Sequence, residues 1–245
     1  MKKLLAVVVL STLGFIAGIS QTTNPSGGDS ETIAVVLGKE IQVEEKERLS
    51  GLVFGALLDQ YAKDNQIEPT EAEIQVFLEK QEELSLSLLR ESEVEHSRLV
   101  EALKSPALSV EQRKELQTQL AGADRTLGNQ REARDGAKEV EKELRPLLHQ
   151  RAAQQVRAWK IHQALFKQYG GRVIFQQAGV EPLDAYRDFL KDQQKKGAFR
   201  ILDAAAEASF WKYFTDDSMH TFFSKEEGAK MMETPFWLME KPKAK

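Results

Sequence analysis

The chain has no cysteine among its 245 residues, which excludes disulfides, thiolate metal sites and thiol nucleophiles and leaves packing alone to hold the fold. Proline is scarce, at 7 residues, so long stretches run without a strong helix breaker. Aromatic residues make up 8% of the chain and are sparse before its C-terminal third. The four histidines, His96, His149, His162 and His220, are scattered, with no HExxH, no paired metal spacing and no glycine-flanked nucleophilic serine. Glycine-rich phosphate loops and nucleic-acid motifs are missing too. The sequence therefore names no catalytic residue, no metal ligand and no cofactor. His162, between Trp159 and Phe166 on one helical seam, reads as a packed histidine rather than a base. The pair Asp216 and Asp217 before His220 reads as a cap on a short helical turn rather than a metal or acid-base cluster. What remains is charged and low in glycine and proline, the composition of a mostly helical soluble protein.

Lys2 and Lys3 lead an uncharged apolar stretch, residues 4–19, followed by a run rich in Ser, Thr, Asn, Pro and Gly. This is the pattern of a secretory signal. Its length of 16 residues falls short of the about 20 that a spanning helix needs, so cleavage near residue 20 is expected, leaving no stable membrane span. Residues 1–20 are thus read as a signal peptide, 21–31 as a flexible leader, and the location as the periplasm.

The stretch 32–79 organises the rest. Residues 33–37 form a short β-branched run, Gly38 permits a reversal, and Ile41 returns beside it, giving a hairpin. After Val43 the period changes to 3.6, with Leu49, Leu52, Val53, Leu57 and Tyr61 on one helical face. Thr70 and Glu73 then have capping-box spacing and open a second helix. This order, "AVVLGKEI", "LLDQYAKDNQI" and "PTEAEI", resembles the N-terminal chaperone region of SurA and related periplasmic folding factors, in which a "VNGxxI" hairpin precedes a helix and a "PTxxEI"-like cap opens the next. The resemblance covers residues 32–79, and Leu37 stands where the family usually has a polar turn residue. It implies a SurA- or trigger factor-like chaperone fold and the binding of unfolded or partly folded envelope proteins. SurA relatives often carry parvulin isomerase domains, whose "GGxLG"-like turn has no counterpart here; Gly170 and Gly171 precede Arg-Val-Ile instead.

Beyond residue 79 the helix continues through Leu84, Leu88, Leu99 and Leu103 to Pro106, with a polar interruption at residues 91–97 where a bend or an exposed arm is expected. Ser109 and Gln112 form another capping-box pair. Three glycines in the polar stretch 122–136 predict either the least ordered helical region or a loop at the tip of a helical hairpin, and a helix from about Ala137 to Tyr169 should be kinked or divided by Pro146. Its seam includes Leu144, Leu148, Ala152, Val156, Trp159 and Phe166. Residues 31–103 carry 17 acidic side chains against 7 basic, and 104–170 carry 13 basic against 8 acidic, which suits two helical faces that attract each other. The run RVIFQQ, 172–177, is a strand expected to pair with the N-terminal hairpin, because an isolated two-stranded ribbon is marginal in water. Helices follow at Leu183 to Leu190 and Ala204 to Phe214. The tail, with Phe222, Phe223, Met231, Met232, Phe236, Trp237 and Met239, is either an exposed apolar cluster or the core of a small C-terminal subdomain.

The fold class is accordingly mainly α: an elongated helical domain with a long antiparallel arm and a small β-ribbon, divided into a chaperone-like domain at 32–177 and an aromatic-rich C-terminal subdomain at 178–245. The expected function is an exported chaperone-like protein that binds unfolded or assembling envelope proteins through apolar helical surfaces, with client contacts at Leu52, Val53, Leu57, Tyr61, Phe236 and Trp237. A non-enzymatic adaptor for one folded envelope partner is the alternative, and a peptidyl-prolyl isomerase-related enzyme or a hydrolase the third class. No nucleic-acid partner is expected.

Overall fold

The computed structural model describes residues 31–176 and 179–239. The signal peptide, the leader as far as residue 30, and Gln177 of the expected strand lie outside these residues. The protein is mainly helical, with two three-stranded antiparallel sheets. No helix among the described residues is long and apolar enough to cross a membrane. Contacts gather into two units, one from the described parts of 1–68 and 157–245, the other Pro69–Val156. The sequence places its boundary instead after residue 177.

In the first unit the expected hairpin is present. Strand β1 (Thr32–Val36) pairs with β2 (Lys39–Gln42), and Leu37 and Gly38 make the two-residue reversal with φ of 49° and 78°. Both positions are left-handed, which glycine tolerates freely and leucine does not; Leu37 is held there with its side chain 40% exposed. The third strand of this sheet is β5 (Phe199–Ile201), beside β1, and not the RVIFQQ segment. The expected pairing of RVIFQQ with the hairpin is therefore corrected. Its central residues form β3 (Ile174–Gln176), which pairs with β4 (Gly179–Glu181) and with β6 (Thr221–Phe222) in a second sheet. The reason is local: β4 follows β3 after two residues, so closing that hairpin costs little chain entropy.

Helix α1 (Leu49–Asp64) turns Leu49, Val53 and Leu57 into a core shared with Leu165 of α3 (Val110–Tyr169), Phe189 of α4 (Leu183–Lys195) and Phe210 of α5 (Ala204–Thr215). A last helix, α6 (Lys225–Glu233), starts from a capping box between Ser224 and Glu227. Gly170 ends α3 as expected, its N–H donating to the Phe166 carbonyl at 2.8 Å.

The second unit consists of α2 (Glu71–Leu103) antiparallel to the first part of α3. Thr70 and Glu73 form the expected capping box. Ser109 and Gln112 do the same ahead of α3. The expected place of the reversal is corrected here. The reversal lies between Leu103 and Val110, where Arg113 donates to the carbonyls of Leu103 and Ser105, and not at 122–136, which is helical throughout. Across the polar interruption at 91–97 the helix continues with Val94 exposed, and Glu93 reaches Arg131 at 2.8 Å and His96 reaches Asp124 at 2.8 Å, so polar pairs replace apolar ones. Pro146 leaves α3 undivided; it lies in an exposed stretch where water can serve the carbonyl its ring leaves without a donor.

Glycine costs a helix about 1 kcal/mol relative to alanine, a penalty that 122–136 absorbs because its neighbours are strong helix formers and Leu127 is buried. Gly128 is exposed, and a Cβ there would meet no atom within 4 Å. Gly128→Ala should therefore stabilise the protein by about 0.5–1 kcal/mol, read as a higher denaturant midpoint at unchanged slope. A lower midpoint would mean that this stretch is a tip after all.

Candidate functional site

The chain leaves α3 through Gly170 and Gly171 and passes directly under Asp184. Gly171 has a φ of 93°, and a Cβ on it would lie 2.3 Å from the Asp184 Cβ, so only glycine fits. That close approach brings the Arg172 N–H to Asp184 Oδ2 at 2.8 Å and its guanidinium to both carboxylate oxygens at 2.9 and 3.0 Å. The same guanidinium holds Asp217 at 2.6 Å and covers the Phe222 ring at 4.2 Å. Asp184 also receives Arg187 at 2.9 Å. Burial alone would raise the Asp184 carboxyl, but the Arg172 hydrogen bonds and the neighbouring Arg187 and Arg172 charges hold it below its ordinary range.

A second polar group sits on the β3–β4–β6 sheet. Tyr213 of α5 donates to Glu181 at 2.7 Å. The His220 Nε2 lies 2.6 Å from the Tyr213 carbonyl and its Nδ1 3.1 Å from the Gln176 amide nitrogen, so the neutral ring carries its proton on Nε2 and accepts at Nδ1. Burial raises the Glu181 carboxyl, opposed by the Tyr213 bond and His220, and raises the Tyr213 phenol. Close by, burial lowers the His162 imidazole to a pKa of about 4, a hydrogen bond at the Val180 backbone opposing, and its ring stands edge-on to Tyr186 at 5.5 Å. The two shifts act on stability in opposite directions. His162 favours the folded state fully above pH 6.5 and progressively less as pH falls toward about 4, whereas Glu181 favours it at low pH and less as pH rises through its raised value. These groups satisfy one another, and the cluster ties α5 to the sheet. Asp216 accepts from the Ser218 N–H and starts a short 3₁₀ turn, which is the capping role read for it in the sequence. No group of three or more metal-ligating side chains occurs among the described residues.

The six residues expected to contact a client do not form one surface. Val53 and Leu57 are 0% and 2% exposed inside the core. Leu52 and Tyr61 are half-buried against that core, the Tyr61 hydroxyl donating to Gln168 at 2.9 Å. Phe236 is exposed, and Trp237 is half-buried, edge-on to Trp159 at 5.8 Å. The face of α1 is consumed in folding.

A row of apolar side chains is left in water on the second unit. Leu144, Leu147 and Leu148 of α3 are 38%, 43% and 45% exposed, at the i, i+3, i+4 spacing of one helical face. The register that sets Glu71 against His149 at 2.9 Å brings Val76 of α2, also exposed, level with Leu144. The sequence spacing places Leu144 and Leu148 on the seam of α3 and leaves Leu147 off it. The signal available was the Leu-x-x-Leu-Leu run itself: three apolar residues around an exposed proline, in a helix with one neighbour to pack on. Comparison of the chain with family models, with curated proteins and with solved structures finds no match.

Proposed function

We propose that the protein is an exported chaperone-like holdase that binds unfolded or assembling envelope proteins in the periplasm. The observation that carries the reading is the row Leu144, Leu147 and Leu148, with Val76 level with it, left facing water on a two-helix unit. A folded partner would recognise a shaped pocket with a few dominant anchors, whereas an aliphatic row on a helix face offers area without much shape, which suits varied extended clients. The hairpin and capping pattern of residues 32–79 supports the same reading by resemblance, and the N-terminal apolar stretch supports export. Client contact moves from the α1 face to this row, since Val53 and Leu57 face the core.

Burying the remaining exposed part of each leucine is worth on the order of 1 kcal/mol. Replacing Leu144, Leu147 and Leu148 together by serine should therefore weaken client binding by about 100-fold. The assay is delay of aggregation of unrelated unfolded outer-membrane proteins at near-equal ratios. Undiminished protection by the triple variant would remove the row from the site. Protection of no unrelated client, together with capture of one folded envelope protein, would favour the adaptor.

A further inference from the structure

Trp159, Gln163, Phe166 and Lys167 fall at i, i+4, i+7 and i+8 on α3 and so share one face. Three of them, with Ala229, Met232 and Glu233 of α6, line a groove of about 380 Å³. The Gln163 side chain donates to the carbonyls of Met232 and Glu233 at 3.2 and 3.4 Å, which fixes where the chain leaves α6. From there residues 235–239 close on themselves as a single 3₁₀ turn, Leu238 N–H donating to the Pro235 carbonyl at 2.9 Å. The turn lays Trp237 edge-on to Trp159, with Phe236 against Trp237 at 5.0 Å. Phe236 and Leu238 remain 40% and 45% exposed. The Trp159 indole N–H is enclosed without an acceptor among the described residues.

We infer that this face of α3 is a binding site for a short, extended apolar segment with a free backbone carbonyl, and that the turn at 235–239 is its internal stand-in. The turn supplies the apolar part of the match and leaves the donor unmet. A buried donor without a partner has given up its water and received nothing, so a ligand that keeps the aromatic contact and adds one acceptor binds better than the turn does. Extended polypeptide has that chemistry, because its carbonyls are not committed to a helix or sheet, whereas those of a folded surface mostly are. Pro-Phe-Trp-Leu-Met, the sequence the site already holds, indicates the side chains it takes. The turn is cheap to displace, being one turn long and half in water, yet its tether gives it a high effective concentration that lowers the apparent affinity of any competitor. The inference rests on the holdase reading only for the source of the segment, an unfolded client.

The probe is a fluorescein-labelled peptide of sequence TPFWLME, titrated by anisotropy into the full chain. Trp237→Ala should bind it at least about tenfold more tightly than the unaltered protein, since the tethered competitor is weakened. Adding Trp159→Phe to that variant should cost about fivefold, the worth of one neutral hydrogen bond. With no cysteine in the chain, Leu238→Cys accepts a single spin label, which the unlabelled peptide should mobilise even if the Trp237 variant folds poorly. Equal affinity with and without Trp237, or a label that stays immobile, overturns the proposal, and a silent Trp159→Phe overturns the carbonyl contact. A concentration-dependent dimer that the peptide dissociates would place the turn on a second copy and overturn the internal cover. Aggregation assays read the Leu144 row and this titration reads Trp159, so either proposal can fail alone.

Discussion

Asp184→Ala should destabilise the protein by about 2–3 kcal/mol at neutral pH, through the removal of a buried charge on which a backbone N–H and two arginines converge. Asp184 is 8% exposed and sits in the first turn of α4, where the helix dipole also favours a carboxylate. It accepts from the Arg172 backbone N–H, from two guanidinium nitrogens of Arg172 and from Arg187. Alanine leaves that N–H unpaired and two arginines without their shared anion. The figure is at the low end for a broken buried pair, because the Arg172 side chain is 44% exposed and keeps Asp217. Asp184→Asn retains an acceptor and should lose about half as much.

The same pair predicts the pH dependence. The folded-state pKa of Asp184 lies below its ordinary value of 3.8, so its stabilising contribution is complete above that value and is lost as pH falls through the folded pKa. The stability gap between the unaltered protein and Asp184→Ala should be constant from pH 7 to about 5 and narrow below pH 3.8. Denaturant titrations across this range measure it. A gap under about 0.5 kcal/mol at pH 7 would mean that the network contributes no more than an ordinary surface ion pair.

What the sequence shows and what it hides divide along a physical line. Caps are local: Thr70 with Glu73 and Ser109 with Gln112 are read correctly from spacing alone, because donor and acceptor are three residues apart. Strand pairing is not. The segment Ile174–Gln176 looks more like a strand than Phe199–Ile201, yet the less conspicuous one joins the N-terminal hairpin, 165 positions away at the pair Val35 and Arg200. Periodicity states which residues share a helix face and is silent on whether anything covers it. Val53 and Leu144 carry the same kind of signal, but α1 is packed from several sides while α3 beside Leu144 has one neighbouring helix in its unit. The glycines at 122–136 mislead for a related reason: their cost is modest and additive, and a helix of 60 residues can carry it.

The largest loss should come from Phe199→Ala, about 4 kcal/mol, enough to remove much of the stability of a domain with no crosslink. Phe199 is 2% exposed and stands opposite Val36 in the β1–β5 pairing. Its ring meets Phe210 at 5.6 Å and Trp211 at 6.4 Å, so one side chain joins the first sheet to α5. On either side of it the strand is pinned to β1, by Leu37 N–H donating to the Ala198 carbonyl and Leu202 N–H to the Ile33 carbonyl, both at 2.7 Å. With the backbone so held, the site cannot collapse around alanine, and the cavity term adds to the lost transfer energy. Phe175 in β3 is the control: half-buried, with a ring neighbour, Phe223, at 6.3 Å, it should cost about 1–2 kcal/mol on the same change. Chemical denaturation gives both numbers, and hydrogen exchange at residues 34–37 locates the effect. If Phe175→Ala opens those amides and Phe199→Ala leaves them protected, the N-terminal hairpin pairs with the wrong strand here and the core is differently built.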